Sequence, residues 1–420
     1  MSATVTLPAR EVPVIGEYEV VVVGGGPAGI MAATAAARVG RSTLLIERYG
    51  FLGGAGTMGG LSTFCGLHAR VHGEDVRVIR GYADELLERL ERLDGLSEPH
   101  LSVEGRIMAQ AFDISAYKMA ADDLVLASGA ELLFHAAVQG LVHDDLGRID
   151  GVVVESKSGA GLVRGRFFID ASGDGDVAAW AGAPFERSEH LLYPSLMFRI
   201  NGVDPVQAGP AWKTIRTLME DAEAAGTHSF PRKKPIVRPQ RNPLEWRSNL
   251  TQLSNEDGSA IDGTDVRQLT RGEIQGRRQV RDTFAFIRER TPGFEDSYVV
   301  DIAPQIGIRE TRRIVGPYQL TEQDVLGLRR LRRHHRRERV AGRGACDRRR
   351  RVPLRAGRLA RLQPAALPDA GAPAGRQPPG RRALRLDERS AASPPAGSPA
   401  RASSWARPRA PPPTWRSVRA

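Results

Sequence analysis

The first strongly apolar block in the chain is Val20–Val23, four β-branched residues in a row, the pattern of a strand covered on both faces. It runs into a glycine turn. Small residues follow at helical spacing (Ala32, Ala33, Ala35, Ala36), and Thr43–Ile46 predicts a second strand ending on Glu47. Together they predict a β-α-β unit. Gly81–Leu93 alternates apolar and charged residues as an amphipathic helix does. Asp113–Ala127 predicts another helix, with Ile114, Met119, Leu124 and Val125 turned to a core and Asp122 and Asp123 outward. Glu131–Phe134, Ala137–His143, Gly151–Glu155 and Leu162–Ile169 predict strands, the middle two joined as a hairpin through Asp144, Asp145 and Gly147. Beyond residue 183 the texture changes. Leu191–Gly202 predicts a strand, and Lys213–Ala225 and Ile274–Arg290 predict helices. The polar stretch holding Pro231, Pro235, Pro239 and Pro243 predicts a long excursion over the surface. Residues 1–17, interrupted by Pro8 and Pro13, predict a loose leader.

The chemistry concentrates where these elements meet. Gly24, Gly26 and Gly29 form G-x-G-x-x-G between strand and helix, the context that gives this motif its force. Gly24 permits the tight turn, Gly26 lets backbone approach a pyrophosphate, and Gly29 lets helix and strand pack closely. The helix N-terminus offers N–H groups to a diphosphate, and Glu47 is placed to accept from a ribose 2′-hydroxyl. A second glycine-rich stretch, Arg48–His68, carries apolar anchors at Phe51, Leu52, Met58, Leu61 and Phe64, which favours close approach to a ligand over a plain surface loop. Leu162–Ile169 ends in Asp170–Asp176, reading DASGDGD, a second strand end facing a ligand or else a polar turn capping a helix through Asp174 or Asp176. Arg309, Glu310, Arg312 and Arg313 crowd one sheet edge, as a solvated face or as an anion or cofactor contact. His68 and His72, just past the glycine loop, are candidates for proton transfer, and Arg309 for stabilising negative charge. Cys65 predicts a buried, inert thiol.

Composition changes this picture mainly at the C-terminal end. The chain carries a net +11, but residues 328–420 hold 25 arginines, no lysine and five acids, a net +20 that leaves residues 1–327 at −9. The same segment has 13 prolines and no Ile, Phe, Tyr, Asn or Met, so it is expected to be a disordered Arg/Pro-rich tail. Arg329–Cys346 and Ala402–Trp415 both admit GC-rich codons whose shifted frame reads as orderly sequence. A frameshift near Leu326–Leu331 is therefore expected, ahead of a genuine basic tail or a nucleic-acid module. Two cysteines give no disulfide framework, and no apolar run is long enough to span a membrane. No signal peptide is evident, so a cytoplasmic location is expected.

From Tyr18 to Val325 these motifs resemble the FAD-dependent oxidoreductases of the glutathione-reductase-like flavoprotein superfamily. The nearer resemblance is to a bacterial group of such oxidoreductases that is similar to the flavoprotein component of heterodisulfide reductase. It rests on Gly24–Gly29, on Glu47 followed by GFLGGAGT, on Asp170–Asp176 and on Gly307–Tyr318. It implies an α/β fold: a Rossmann-like FAD-binding domain over 18–182, an inserted α+β substrate domain over 183–300, and a return to the first domain over 301–327. It further implies that Gly24, Gly26, Pro27, Ala28 and Gly29 hold the FAD pyrophosphate, with Glu47 on the adenosine ribose and Arg48 beside it. Gly53, Gly54 and Thr57 would approach pyrophosphate and flavin, Val138 the adenine, and Gly173 and Asp174 would border the cofactor channel. The implied activity is oxidation or reduction of a small organic substrate, with an unidentified electron acceptor or donor and no specific nucleic-acid or membrane partner. A nicotinamide-only Rossmann protein and an inactive frameshifted product are the alternatives. Some relatives carry iron–sulfur clusters, but without Cys-x-x-Cys runs none is expected here.

Overall fold

A computed structural model of the protein describes residues 4–6, 8–102, 107–319, 321 and 324. The tail expected to be off-frame, 328–420, lies outside the described residues. The first sheet has six strands: β1 (Val14–Val23), β2 (Thr43–Ile46), β3 (Glu131–Leu133), β4 (Ala137–His143), β5 (Ile149–Ser156) and β6 (Gly159–Asp170). Their order is β3-β2-β1-β6-β5-β4. The four strands β3, β2, β1 and β6 run parallel, and β6, β5 and β4 form an antiparallel meander. This is a Rossmann-like arrangement.

The β-branched run explains why β1 is central. Val20 and Val22 pack with Ile30, Ala33, Tyr117 and Leu124 on one face, while Val21 and Val23 pack with Val152, Val163 and Val177 on the other. Burial on both faces is why the run shows no polar alternation. Each such side chain stabilises the fold by roughly 1.5–3 kcal/mol relative to exposure. Two helices cover the first face: α1 (Pro27–Arg38), which leaves the glycine turn, and α2 (Ile114–Leu126), capped by the Asp113 carboxylate accepting from the Ala116 N–H at 2.8 Å.

The second sheet orders β8-β9-β7-β10, with β7 (Phe198–Asn201), β8 (Ile236–Pro239), β9 (Trp246–Asn249) and β10 (Tyr298–Ile302) all antiparallel. Its core holds Phe198, Ile200, Trp246, Phe286 and Phe294. A long helix, α3 (Val266–Arg290), packs against it.

Several sequence expectations need correction. The proline-punctuated stretch is no surface excursion, for β8 and β9 lie within it and Val237 and Trp246 are buried. The strand expected over 191–202 is reduced to its last residues, Phe198–Asn201. The helix expected to begin at Ile274 begins at Val266, capped by Asp265. Gly272 obscured that start, for it sits where a Cβ would crowd the Ile261 side chain at 2.6 Å. Met119 faces solvent rather than the core, and Asp122 is half-buried, with burial pushing its carboxyl up. Cys65 is exposed rather than buried.

Candidate functional site

The site forms where the C-terminal ends of β1 and β6 meet the first turn of α1. The Gly24 N–H donates to Ile46 O at 2.8 Å and the Ala171 N–H to Val23 O at 2.8 Å, which locks the neighbouring strand ends together. Gly24 has φ +103°, and a Cβ there would lie 2.3 Å from Ala171 O. Gly29 is tighter, for its Cβ would come within 1.8 Å of Gly24 O. Gly26 differs from both. Its φ is an ordinary −72°, and a Cβ there would meet nothing nearer than Gly54 Cα at 3.8 Å. The first two glycines serve the chain's own packing, whereas Gly26 keeps a surface open.

That surface lines a cavity of about 250 Å³. Gly24, Gly26, Pro27 and Ala28 border it from the turn, Glu47 and Arg48 from the end of β2, and Gly54 and Met58 from the glycine loop. Gly173 and Asp174 border it from the end of β6, and Gln305 and Gly307 to Glu310 from the segment after β10. A smaller cavity of about 120 Å³ shares Gly24, Glu47, Arg48 and Ser172 and continues to Val138 and Trp180. Of the residues implied by resemblance, Gly53, Thr57 and Gly29 border neither cavity. Gly53 and Thr57 instead brace the loop, through Gly53 N–H to Gly25 O at 2.8 Å and Thr57 Oγ1 to Leu52 O at 2.8 Å. The first turn of α1 has N–H groups with no partner inside the helix, so the cavity meets an electropositive helix end.

Glu47 is buried and already engaged. Its Oε2 accepts from the Gly25 N–H at 2.6 Å and its Oε1 from the Tyr49 N–H at 2.9 Å. The carboxylate therefore shapes the glycine turn, and each oxygen keeps lone-pair capacity for one more donor.

On the other side, Asp170 accepts from Ser172 Oγ at 2.6 Å and from the Ala178 N–H at 2.8 Å, so it, and not Asp174 or Asp176, fastens the short helix Asp176–Trp180. Asp174 accepts from Thr311 Oγ1 at 2.7 Å and Asp176 from Arg312 at 2.6 Å. Glu310 accepts from the Leu192 N–H at 2.9 Å. Three members of the charged edge are thus structural ties, with Arg313 against Glu186 at 3.4 Å, and Arg309 borders the cavity.

His68 and His72 are not brought to the cavity. His68 sits in a two-stranded hairpin, His68–Val71 with Glu74–Arg77, and His72 lies at its turn. Sequence reasoning missed Tyr49, whose hydroxyl donates to Gln305 Oε1 at the cavity wall. Burial pushes its phenol up, so it stays protonated and able to donate. The aromatic residue right after Glu47-Arg48 was the available signal. Among the described residues no group of three or more His, Cys, Asp or Glu could hold a metal ion, and no helix is long and apolar enough to cross a membrane.

Residues 19–343 match the family model described as FAD dependent oxidoreductase, a match that runs past the boundary expected at 327. The chain is 34% identical over 170 residues to the thiamine thiazole synthase of Methanococcus vannielii, covering 37% of this chain and 56% of that protein. It is 34% identical over 166 residues to digeranylgeranylglycerophospholipid reductase 1 of Methanopyrus kandleri, covering 37% and 40%. The chain thus spans about half the length of the curated relatives it matches. Among solved structures, a geranylgeranyl bacteriochlorophyll reductase-like protein from Thermoplasma acidophilum aligns with a TM-score of 0.43 and 17% identity, over 69% of this chain and 65% of that one.

Proposed function

The chain belongs to the FAD-dependent oxidoreductase family, and from that premise we propose that it oxidises or reduces a small organic substrate at the cavity beside Gly26. The observation carrying this reading is the contrast among the glycines: only Gly26 of the three motif positions opens onto free space. A turn of this kind presents backbone N–H groups to a diphosphate without a side chain in the way. Bound FAD would supply hydride or single-electron transfer.

The chain's own residues divide the remaining work. The Gly24–Ala28 turn and the first turn of α1 would hold the pyrophosphate. Glu47 and Arg48 would meet the adenosine ribose, and Val138, which lines the smaller cavity, would meet the adenine. Gly54 and Met58 approach from the glycine loop, which is tied to the opposite wall by the Gln305 N–H donating to Met58 O at 3.3 Å. Arg309 places a positive charge on the wall formed by the segment after β10, where developing negative charge would be stabilised. Tyr49 holds a proton at its hydroxyl on the same wall.

Chromatography of the nucleotide released by denaturing the purified protein tests this. FAD in near-equimolar amount is expected. A nicotinamide nucleotide alone, or no nucleotide even after incubation with FAD, would overturn the reading.

A further inference from the structure

The second sheet carries a row of three arginines of which only one is neutralised by acids of the sheet. Arg238 of β8, Arg247 of β9 and Arg199 of β7 are direct cross-strand partners, so their side chains emerge on one face of the sheet. Arg199 is compensated by Glu245 at 3.0 Å and Asp301 at 3.3 Å. Arg247 and Arg238 are not, for neither forms an ion pair among the described residues. Arg247 is 6% exposed, its Nε has no hydrogen-bond partner among the described residues, and its Nη1 donates only a long bond, 3.3 Å, to Leu61 O. Arg238 donates to Val237 O and Trp212 O and lies over the Trp212 ring at 5.9 Å. The Nε2 of His100 nearby is also buried without a partner among the described residues.

A buried guanidinium without a counter-ion is an expensive arrangement. Its cost is visible, since burial, with Arg238 adding to it, holds Arg247 down at about 10, and burial followed by the two arginines holds His100 below the usual imidazole value. The cluster is not sealed, for Leu61 and Cys65 beside Arg247 are exposed. Leu61 also stands two residues beyond Gly59, which lines the main cavity.

We propose that Arg247 and Arg238 form an oxyanion site that receives the carboxylate or phosphate end of the substrate. The Nε–H of Arg247 together with its second terminal nitrogen makes a planar donor pair that fits either group. Arg238, half-buried in the adjacent strand, supplies the second positive charge. The identification of the ligand as substrate rests on the proposed function of the neighbouring cavity, but the oxyanion site itself does not.

Titration calorimetry on the full chain, with benzoate and with inorganic phosphate as separate probes, tests the site without reference to flavin. Saturable binding of one probe is expected, weakened about ten- to a hundred-fold in Arg247→Met. Benzoate binding marks a carboxylate site and phosphate binding a phosphate site. Because Arg247 is buried, Arg238→Gln serves as a second variant at a position less demanding of the fold, and a weaker affinity is expected there too. No saturable binding of either probe, or equal binding by the wild type and a folded variant, would overturn the proposal. FAD retained alongside such a failure would leave the proposed function standing, whereas oxyanion binding by a protein unable to take up FAD would sink that reading alone.

Discussion

At the scale of single residues, the three motif glycines carry separate duties that substitution can pull apart. A Cβ at Gly29 would collide with backbone, and backbone cannot rotate away. Gly29→Ala is therefore expected to destabilise the fold by about 3 kcal/mol or more, read by chemical denaturation. Glu47 behaves differently. Its carboxylate satisfies the N–H groups of Gly25 and Tyr49, so Glu47→Ala leaves two donors in need of partners. A stability loss of about 1–3 kcal/mol is expected together with weaker FAD binding. Unchanged stability with weakened FAD binding would mean that the carboxylate serves the ribose alone. The glycine spacing and the acid ending β2 were legible in the sequence because both are local. That Glu47 bonds backwards to Gly25 was not, since the contact exists only once β1 and β2 lie side by side. Arg247 was equally hidden, for a charged residue flanked by Trp246 and Ser248 reads as an exposed turn until the second sheet buries it.

Among elements, the tie between the end of β6 and the returning segment decides how the cavity wall is held. Arg312 donates to Asp176 and Thr311 to Asp174, joining residues well over a hundred positions apart. Burial pushes the Asp176 carboxyl above its ordinary value, although Arg312 opposes the shift. A carboxyl whose folded pKa is raised binds its proton better in the native state. The electrostatic cost of Asp176 is therefore absent below the unfolded value of about 3.9 and fully present above the folded one. Arg312→Met removes the opposing charge, so its destabilisation should be larger at pH 7 than at pH 4, measured by urea denaturation at both. Equal losses at the two values would mean that Arg312 acts through packing only. The strands of the first sheet were readable because β-branched runs and glycine turns dominate their local choice. Strands β8 and β9 were not, because Pro239 and the polar run Arg247–Ser248–Asn249 contradict strand patterning, and only burial between neighbouring strands overrides it.

For the whole molecule, the central claim is that the cavity beside Gly26 exists to take FAD. The first sheet supplies the glycine turn and the acid, and the segment following β10 closes the opposite side. Stability and cofactor binding can be separated here, because Gly26 has an ordinary backbone conformation and free space beyond it. The deciding measurement is the ratio of flavin absorbance to protein in wild type and Gly26→Val, purified identically, with thermal unfolding recorded for both apoproteins. Near-stoichiometric flavin is expected in the wild type and almost none in the variant, at similar apoprotein melting temperatures. Stoichiometric flavin in a folded Gly26→Val protein would contradict the claim.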